Sequence, residues 1–284
     1  MTLKPGERME IVVYHDEYYA SSWINKEWSK EIVKYLEEKG LNKKNAIQLR
    51  EWIEAKLDEN SSHESAIIFS QDMVPETILS PLNSPNDLIR RYLDAGGRVV
   101  WIGDHPFWSK AVIRKNKDRE EIWMHGAHYG MLGVEMLIAE SSSQSQWIGE
   151  WAERMKSRWY SQRPVNIEVD EKRLNLKIEP LAYAEVVLLP SSWNALVIAR
   201  WKKAGRKIGS FGLTAAGFGG NVTLTEKFPR ELSFKPLKLA CAWHVSFNRN
   251  HPSQGFYRLW DSGSVGKHPP NDLLEDIYTL ASLK

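Results

Sequence analysis

The chain has 284 residues, 42% of them hydrophobic, which is enough to bury a substantial core. Its 38 basic and 36 acidic residues leave a formal net charge of +2, so bulk charge does not indicate binding to nucleic acid or to an anionic membrane. The single cysteine, Cys241, excludes an intrachain disulfide. Because no stretch approaches about 18 consecutive apolar residues and the N-terminus does not resemble a signal peptide, we expect a cytoplasmic protein without a membrane segment.

Short apolar runs alternate with amphipathic segments over the first hundred residues. The runs "EIVVY", "AIIF" and "RVVWI" predict three buried strands. Helices are predicted from a Ser29 cap to about Lys39, from an Asn45 cap to about Leu57, and from Asn86 to the Gly96-Gly97 pair. This alternation predicts an α/β fold, flavodoxin-like or Rossmann-like, with a mostly parallel sheet and helices on both faces.

The second half of the sequence predicts more strand than helix. Strands are expected near 165–169, 174–178, 184–189, 195–201 and 237–247, with a helix near 147–156 and a terminal helix near 271–283. We therefore expect an α/β core over 1–140, an inserted or accessory α+β segment over 141–235, and a return to the core over 236–284. The 13 tryptophans are spread along the chain, and we interpret most of them as core or interface filler.

Polar residues follow each of the three predicted strands. His15, Asp16 and Glu17 follow the first, Ser70, Gln71 and Asp72 follow the second, and Asp104 and His105 follow the third. Ligands of parallel sheets bind outside the carboxyl ends of the strands, so these loops predict one site. The ligand-binding candidates are His15, Asp16, Glu17, Gln71, Asp72 and Trp108. The competing interpretation is that Asp72 and Asp104 cap turns and that His15 is a satisfied surface histidine.

Two kinds of chemistry fit these residue types. His105, with Asp104 or another aspartate to orient it, can transfer protons near neutral pH if the protein is an enzyme. His15, His105 and one aspartate can also form a facial metal set. Neither arrangement has a diagnostic spacing, so the sequence leaves the metal, the cofactor and the presence of catalysis open.

The segments "IVVYHDE", "AIIFSQD" and "NDLIRRYLDAGGRVVWIGDHP" resemble the class I glutamine amidotransferase-like superfamily, in particular its trehalose-utilisation (ThuA-like) branch. The resemblance covers about residues 9–108, and the late strand near Trp243. In glutaminase members the sharp turn after such a strand carries a nucleophilic cysteine, later joined by histidine and glutamate. Here His105 stands near the cysteine position, and in His251-Pro252-Ser253 a serine replaces the carboxylate. The resemblance therefore implies a member without glutaminase activity.

We hence expect a non-glutaminase amidotransferase-like domain that binds a small molecule or a protein partner at the carboxyl edge of its sheet. The alternative is a hydrolase or proton-transfer enzyme that acts on a sugar-like substrate through His105 and a nearby aspartate. The sequence leaves the oligomeric state open.

Overall fold

A computed structural model describes residues 9–19, 24–80, 86–103, 106–113, 119–123, 131–132, 135–136, 139–142, 146–157, 165–166, 177–188, 237–248, 250, 252–260 and 271–283. In these ranges no helix combines the length and the apolar character needed to cross a membrane. The expected strand near 195–201 lies outside the described residues.

The described strands and helices alternate most regularly in the first third of the chain. The strands are β1 Glu10–Tyr14, β2 Asn42–Lys44, β3 Ser65–Phe69, β4 Val74–Pro75, β5 Arg98–Ile102, β6 Ser109–Ile113, β7 Arg119–Trp123, β8 Glu135–Met136, β9 Ala139–Ser142, β10 Gln146–Trp147, β11 Val165–Asn166, β12 Lys177–Leu188, β13 Leu237–Ser246 and β14 Gly255–Trp260. The helices are α1 Lys26–Glu38, α2 Ala46–Asp58, α3 Leu88–Asp94, α4 Trp151–Arg154 and α5 Asn271–Ser282. A 3₁₀ turn, Ser62–Glu64, leads into β3.

The central sheet is mixed, and the strands from the first hundred residues pair in parallel. Its strands lie in the order β10-β12-β13-β14-β5-β3-β1-β2. β1 pairs in parallel with β2 and β3, and β5 pairs in parallel with β3 and β14. The three strands predicted from "EIVVY", "AIIF" and "RVVWI" are therefore adjacent and parallel, which confirms that prediction. The sheet is mixed because β12 and β13 pair antiparallel, as do β13 and β14.

Alternate residues of the parallel strands pack against helices on opposite faces of the sheet. On one face, α1, α4 and α5 cover residues such as Val13, Ile68 and Val100. On the other, α2 and α3 cover Val12, Ile67 and their neighbours. Because both faces are covered, these strands consist almost wholly of apolar residues, as expected for buried parallel strands. The α/β class with helices on both faces is thus observed.

Three sequence-based details differ from the structure. α1 begins after Asn25, whose side chain accepts a hydrogen bond from Glu27 N at 2.8 Å, so Ser29 is not the cap but an internal, buried helical residue. The two strands expected near 174–178 and 184–189 are one strand, β12, whose pairing with β13 shifts register after Pro180. The expected helix near 147–156 is shorter, because Trp147 pairs in a strand before α4 begins.

Other boundaries agree with prediction. Asn45 caps α2 in a reciprocal capping box with Gln48, and Gly96 ends α3 with a φ of 88°. Cys241 is fully buried in β13, as expected of a small residue in an apolar strand. Of the described tryptophans, five are buried in the core, which agrees with their interpretation as filler: Trp28, Trp52, Trp101, Trp151 and Trp243.

Candidate functional site at the carboxyl edge of the sheet

The carboxyl ends of β1, β3 and β5 lie side by side. In the register of the sheet, Tyr14 pairs with Phe69, and Phe69 pairs with Trp101. The loops that begin at His15, Ser70 and Gly103 therefore leave the sheet at the same edge, which we call the carboxyl edge. Asp104 and His105 lie outside the described residues, so the proposed catalytic pair stays a prediction.

Gly103 and Phe107, which lie before and after positions 104 and 105, both have positive φ angles. Gly103 has a φ of +112°, and a Cβ there would lie 2.7 Å from Asp72 Cβ and 2.7 Å from Ile24 Cδ1. Phe107, buried beyond the turn, has a φ of 58°, a left-handed value that a residue with a side chain adopts at an energetic cost. Glycine is needed at 103 because both the backbone angle and the close packing exclude a side chain.

His15 lies in a buried network with two serine hydroxyls. Its Nδ1 atom is 2.9 Å from Ser29 Oγ and 3.2 Å from Ser70 Oγ, and the two hydroxyl oxygens are 3.1 Å apart. Ser70 Oγ also donates to the Tyr14 carbonyl at 2.8 Å. All three side chains are buried, and His15 is 4% exposed. The network joins β1, β3 and the first turns of α1 at the carboxyl edge.

The surroundings of His15 favour a neutral ring. Burial lowers the pKa of the imidazole below its ordinary value, and the positive charge of Lys43 lowers it further. Glu17 and Asp16 act in the opposite direction, while Lys30 adds to the lowering. Near neutral pH, His15 is therefore uncharged and able to act as a hydrogen-bond acceptor or as a base.

Asp16 and Gln71 hold the loop that follows β1. One carboxylate oxygen of Asp16 accepts from Tyr18 N at 2.9 Å, and the other accepts from Ala46 N, in the first turn of α2, at 3.0 Å. The Gln71 side chain accepts from Asp16 N at 2.8 Å and donates to Asp16 O at 3.1 Å. These contacts stabilise the local backbone, so Asp16 and Gln71 have the turn-stabilising role that the sequence suggested only for Asp72 and Asp104.

The remaining candidates differ in exposure. Asp72 is buried, and its carboxylate accepts from Ile24 N at 3.2 Å. Glu17 is exposed and Trp108 is half-buried. The structure thus brings His15, Asp16, Gln71 and Asp72 together at the edge, while the binding role of each stays a prediction.

A buried arginine links two further strands near the same edge. Arg258, on β14, donates from Nη1 to Cys241 O at 2.8 Å and from Nη2 to Gly103 O at 3.4 Å. The guanidinium is 1% exposed and connects the end of β5 with the middle of β13. Arg258 could not be recognised as a buried linking residue from its local sequence, "YRLW". Its partner Gly103 is more than a hundred residues away along the chain and comes close only when β14 pairs with β5.

Ser29 is the residue of the network that sequence reasoning placed wrongly. A signal was present, because Ser29, Ile32, Val33 and Leu36 have the i, i+3, i+4, i+7 spacing of one helix face. A hydroxyl on an otherwise apolar face indicates a buried polar partner. That partner, His15, follows a strand on the other side of a loop.

No group of three or more histidine, cysteine, aspartate or glutamate side chains in the described ranges can hold a metal ion. A facial set that includes His105 falls outside those ranges. His251, from the "HPS" sequence, lies outside them too.

Comparison with known proteins covers mainly the parallel part of the fold. The model of the MJECL34 family matches residues 9–128. The uncharacterised protein MJECL34 of Methanocaldococcus jannaschii is 38% identical over 108 residues, which cover 37% of this chain and 36% of that protein. The match therefore spans little more than a third of the relative's length.

A solved structure aligns over a longer range at much lower similarity. The crystal structure of a thua-like protein from Bacteroides uniformis aligns with 98% of this chain and 92% of its own, with 10% identity and a TM-score of 0.37. Similarity at this level carries no argument about function. The chain is thus similar to the MJECL34 family over residues 9–128, the part that contains β1, β3 and β5.

Proposed function

We propose that this chain is a non-glutaminase, amidotransferase-like domain that binds a small molecule at the carboxyl edge of β1, β3 and β5. The observation that carries the proposal is the position of three parallel strand ends at one edge, where a buried polar network built around His15 joins two of them, β1 and β3. A buried histidine joined to two hydroxyls costs desolvation free energy, so a use beyond packing accounts for its presence. A small molecule is favoured over a protein partner because the histidine is only 4% exposed.

The flavodoxin-like arrangement of the amidotransferase-like superfamily is part of this proposal. It is supported by helices on both faces and by β1 lying between β2 and β3. In open parallel sheets the crevice at the carboxyl ends of the strands is the usual binding position.

The absence of glutaminase activity rests on the position of the chain's single cysteine. Cys241 is fully buried within β13, whereas the reaction needs a thiolate at the sharp turn after the nucleophile strand. Ammonia release from glutamine should stay at background. Release that disappears in Cys241→Ser would contradict this assignment.

The location of the site can be tested without knowing the ligand. Neutral sugars and polyols, nucleotides, amides and divalent metals are screened by thermal unfolding, and any stabilising compound is titrated into ¹⁵N-labelled protein. Amide resonances should move at 15–19, 70–73, 103, 107 and 108, the described residues of the carboxyl edge. Residues 62–65, 95–98 and 253–255, at the opposite edge, serve as the internal control. Shifts confined to those control residues, or no stabilising compound in the panel, would overturn the proposal.

A proton-transfer enzyme remains the second candidate, because the lowered pKa of His15 gives the carboxyl edge a neutral imidazole near pH 7. His105 with Asp104, or His15 itself, would supply the base. Turnover of a bound sugar-like compound that is lost in both His105→Ala and His15→Asn would support this candidate. Binding without turnover in the wild-type protein would support the binding domain.

A further inference from the structure

The geometry of the network around His15 determines which atom donates the hydrogen in each of its contacts. Ser70 Oγ lies 2.8 Å from the Tyr14 carbonyl, which can only accept, so the Ser70 hydroxyl proton occupies that contact. The contact of 3.1 Å between the two serine oxygens then needs the proton of Ser29. With both hydroxyl protons used, the two contacts of His15 Nδ1 need a proton on Nδ1 itself.

The opposite tautomer leaves contacts without a proton. If Nδ1 accepted from Ser29, the pairs Ser29 Oγ to Ser70 Oγ and Nδ1 to Ser70 Oγ would place lone pairs against each other at 3.1 and 3.2 Å. Only the tautomer with hydrogen on Nδ1 satisfies all four contacts in this buried network.

We infer that Ser29, Ser70 and the Tyr14 carbonyl hold His15 in the Nδ1–H tautomer, which leaves the Nε2 lone pair as an acceptor for a hydroxyl or amide hydrogen of an uncharged ligand. This inference rests on the proposed function and names the ligand class for the same site. The Nε2 atom has no hydrogen bond to a described residue, and it is not among the described polar atoms that are both fully buried and unpartnered. A small ligand can therefore complete the network at the atom for which the described residues supply no partner.

The charges around the ring favour an uncharged donor over an ion. An unprotonated Nε2 offers no hydrogen to an anion, which removes the usual reason for histidine in anion sites. Lys43 and Lys30 oppose a cation at the ring, while Glu17 and Asp16 act in the opposite direction, so the surrounding charges give a cation no net advantage. The nearby carboxylate oxygens of Asp16 already accept backbone N–H groups. Molecules rich in hydroxyl groups, such as sugars and polyols, fit these conditions.

The tautomer is tested in the absence of ligand by long-range ¹H–¹⁵N correlation of the histidine rings at pH 7. The His15 signals are assigned from their loss in His15→Asn, whose amide can still donate to the serines. We expect a pyrrole-type Nδ1 and a pyridine-type Nε2. A pyridine-type Nδ1, or two pyrrole-type nitrogens of a charged ring, would overturn the inference in the wild-type protein alone.

Two serine variants make a matched pair. In Ser70→Ala, the Ser29 hydroxyl loses its acceptor and turns to Nδ1, so the ring proton should move to Nε2 and the tautomer should reverse. In Ser29→Ala, Nδ1–H keeps Ser70 Oγ as acceptor, so the tautomer should be unchanged. An unchanged tautomer in folded Ser70→Ala would contradict the proton chain.

The ligand class is tested with D-glucose, trehalose and myo-inositol, against inorganic phosphate and Zn²⁺. At least one of the uncharged probes should shift Nε2, with a Kd raised about tenfold or more in Ser70→Ala, where Nε2 carries the proton. Perturbation by phosphate or Zn²⁺ alone, or by none of the probes, would overturn the ligand class.

A pyridine-type Nδ1 in a protein that still binds at the carboxyl edge would refute this inference and leave the proposed function standing. An Nδ1–H ring in a protein that binds no compound of the wider screen would refute the proposed function.

Discussion

The two edges of the central sheet both contain buried polar side chains, but they use them differently. At the amino edge, Arg98 directs its guanidinium to carbonyls at and just beyond the C-terminal end of α5: Nη1 donates to Leu280 O, Ala281 O and Leu283 O at 2.6 to 3.2 Å. At the carboxyl edge, Asp16, Gln71 and Asp72 also bind backbone groups. His15 differs, because its Nδ1 atom contacts two serine hydroxyls while its Nε2 atom has no hydrogen bond to a described residue.

This comparison separates side chains that complete the fold from side chains that leave an atom for a ligand. Burial and charge do not distinguish them, since Arg98, Asp16 and His15 are all buried. What distinguishes them is the accessibility of the unpartnered atom: among the described residues, Arg98 Nε has no hydrogen-bond partner and is fully buried, whereas His15 Nε2 is not among the fully buried, unpartnered atoms. Four measurements test whether these side chains serve the fold or a ligand.

The largest effect is expected at the amino edge. Arg98→Ala removes donors to three carbonyls of the C-terminal end of α5 and to Ser253 O, and should lower the free energy of unfolding by about 3 to 5 kcal/mol. Urea denaturation followed by circular dichroism measures this loss. Arg91→Ala, on the exposed side of α3, is the control and should stay within about 0.5 kcal/mol of wild type. A loss below about 1 kcal/mol in Arg98→Ala would mean that the amino-edge arginine does not support the fold.

The next effect concerns the packing of the carboxyl edge. Gly103→Ala should cost about 2 to 4 kcal/mol, because its Cβ meets Asp72 and Ile24 at 2.7 Å and its φ of +112° disfavours any side chain. Gly40→Ala is matched to it, since Gly40 has a φ of +87° with nothing within 4 Å of the added Cβ. The control should cost about 1 to 2 kcal/mol from the backbone angle alone. Equal losses in chemical denaturation would show that close packing at the carboxyl edge contributes nothing.

A smaller loss is expected from Asp16, which was predicted as a ligand-binding residue. Asp16→Ala leaves Tyr18 N and Ala46 N without their acceptor and should cost about 1 to 2 kcal/mol. Asp58→Ala, at the other end of α2, should be within about 0.5 kcal/mol of wild type. If Asp16→Ala keeps its stability but no longer responds to a compound that stabilises wild type, Asp16 belongs with His15 among the ligand-binding residues.

The smallest effect is a change in the pH dependence of stability. Burial lowers the pKa of folded His15 below its ordinary value, so the unfolded chain binds a proton first as the pH falls. The wild-type protein should therefore lose stability as the pH falls from about 6.5 towards the folded pKa. His15→Asn has no imidazole at this position, so its stability should fall less over the same interval. Parallel pH profiles of the two proteins would remove the argument for a neutral, buried ring.

Sequence patterns predicted the parallel part of the fold well, for local reasons. "EIVVY", "AIIF" and "RVVWI" are short runs without a polar face, as required of strands covered on both sides. Asn45, Gln48 and Gly96 carry capping information within a few residues, so α2 and the end of α3 were predictable. The short edge strand β2, "NKK", carries no apolar signal and could not be recognised.

The position of the candidate site was also accessible from the sequence, whereas its internal contacts were not. Polar residues directly after three buried strands predicted one edge of a parallel sheet, and β1, β3 and β5 lie there side by side. The assignment of Ser29 as a cap was wrong because capping was judged from local spacing. Its actual partner, His15, is fourteen residues away along the chain.

Local patterns were sufficient to predict the three buried strands and the three helices of the first hundred residues, because hydrophobic periodicity and helix caps act over a few neighbouring residues. The position of β14 between β5 and β13, and the bridge that Arg258 makes between their carbonyls, follow only from the tertiary structure. The same holds for the hydrogen bond from Ala46 N of α2 to Asp16, and for the surroundings of His15, in which Nε2 has no described partner. Strand order and side-chain partners depend on contacts between residues tens to hundreds of positions apart. No local pattern encodes such contacts, since they exist only once the sheet has assembled.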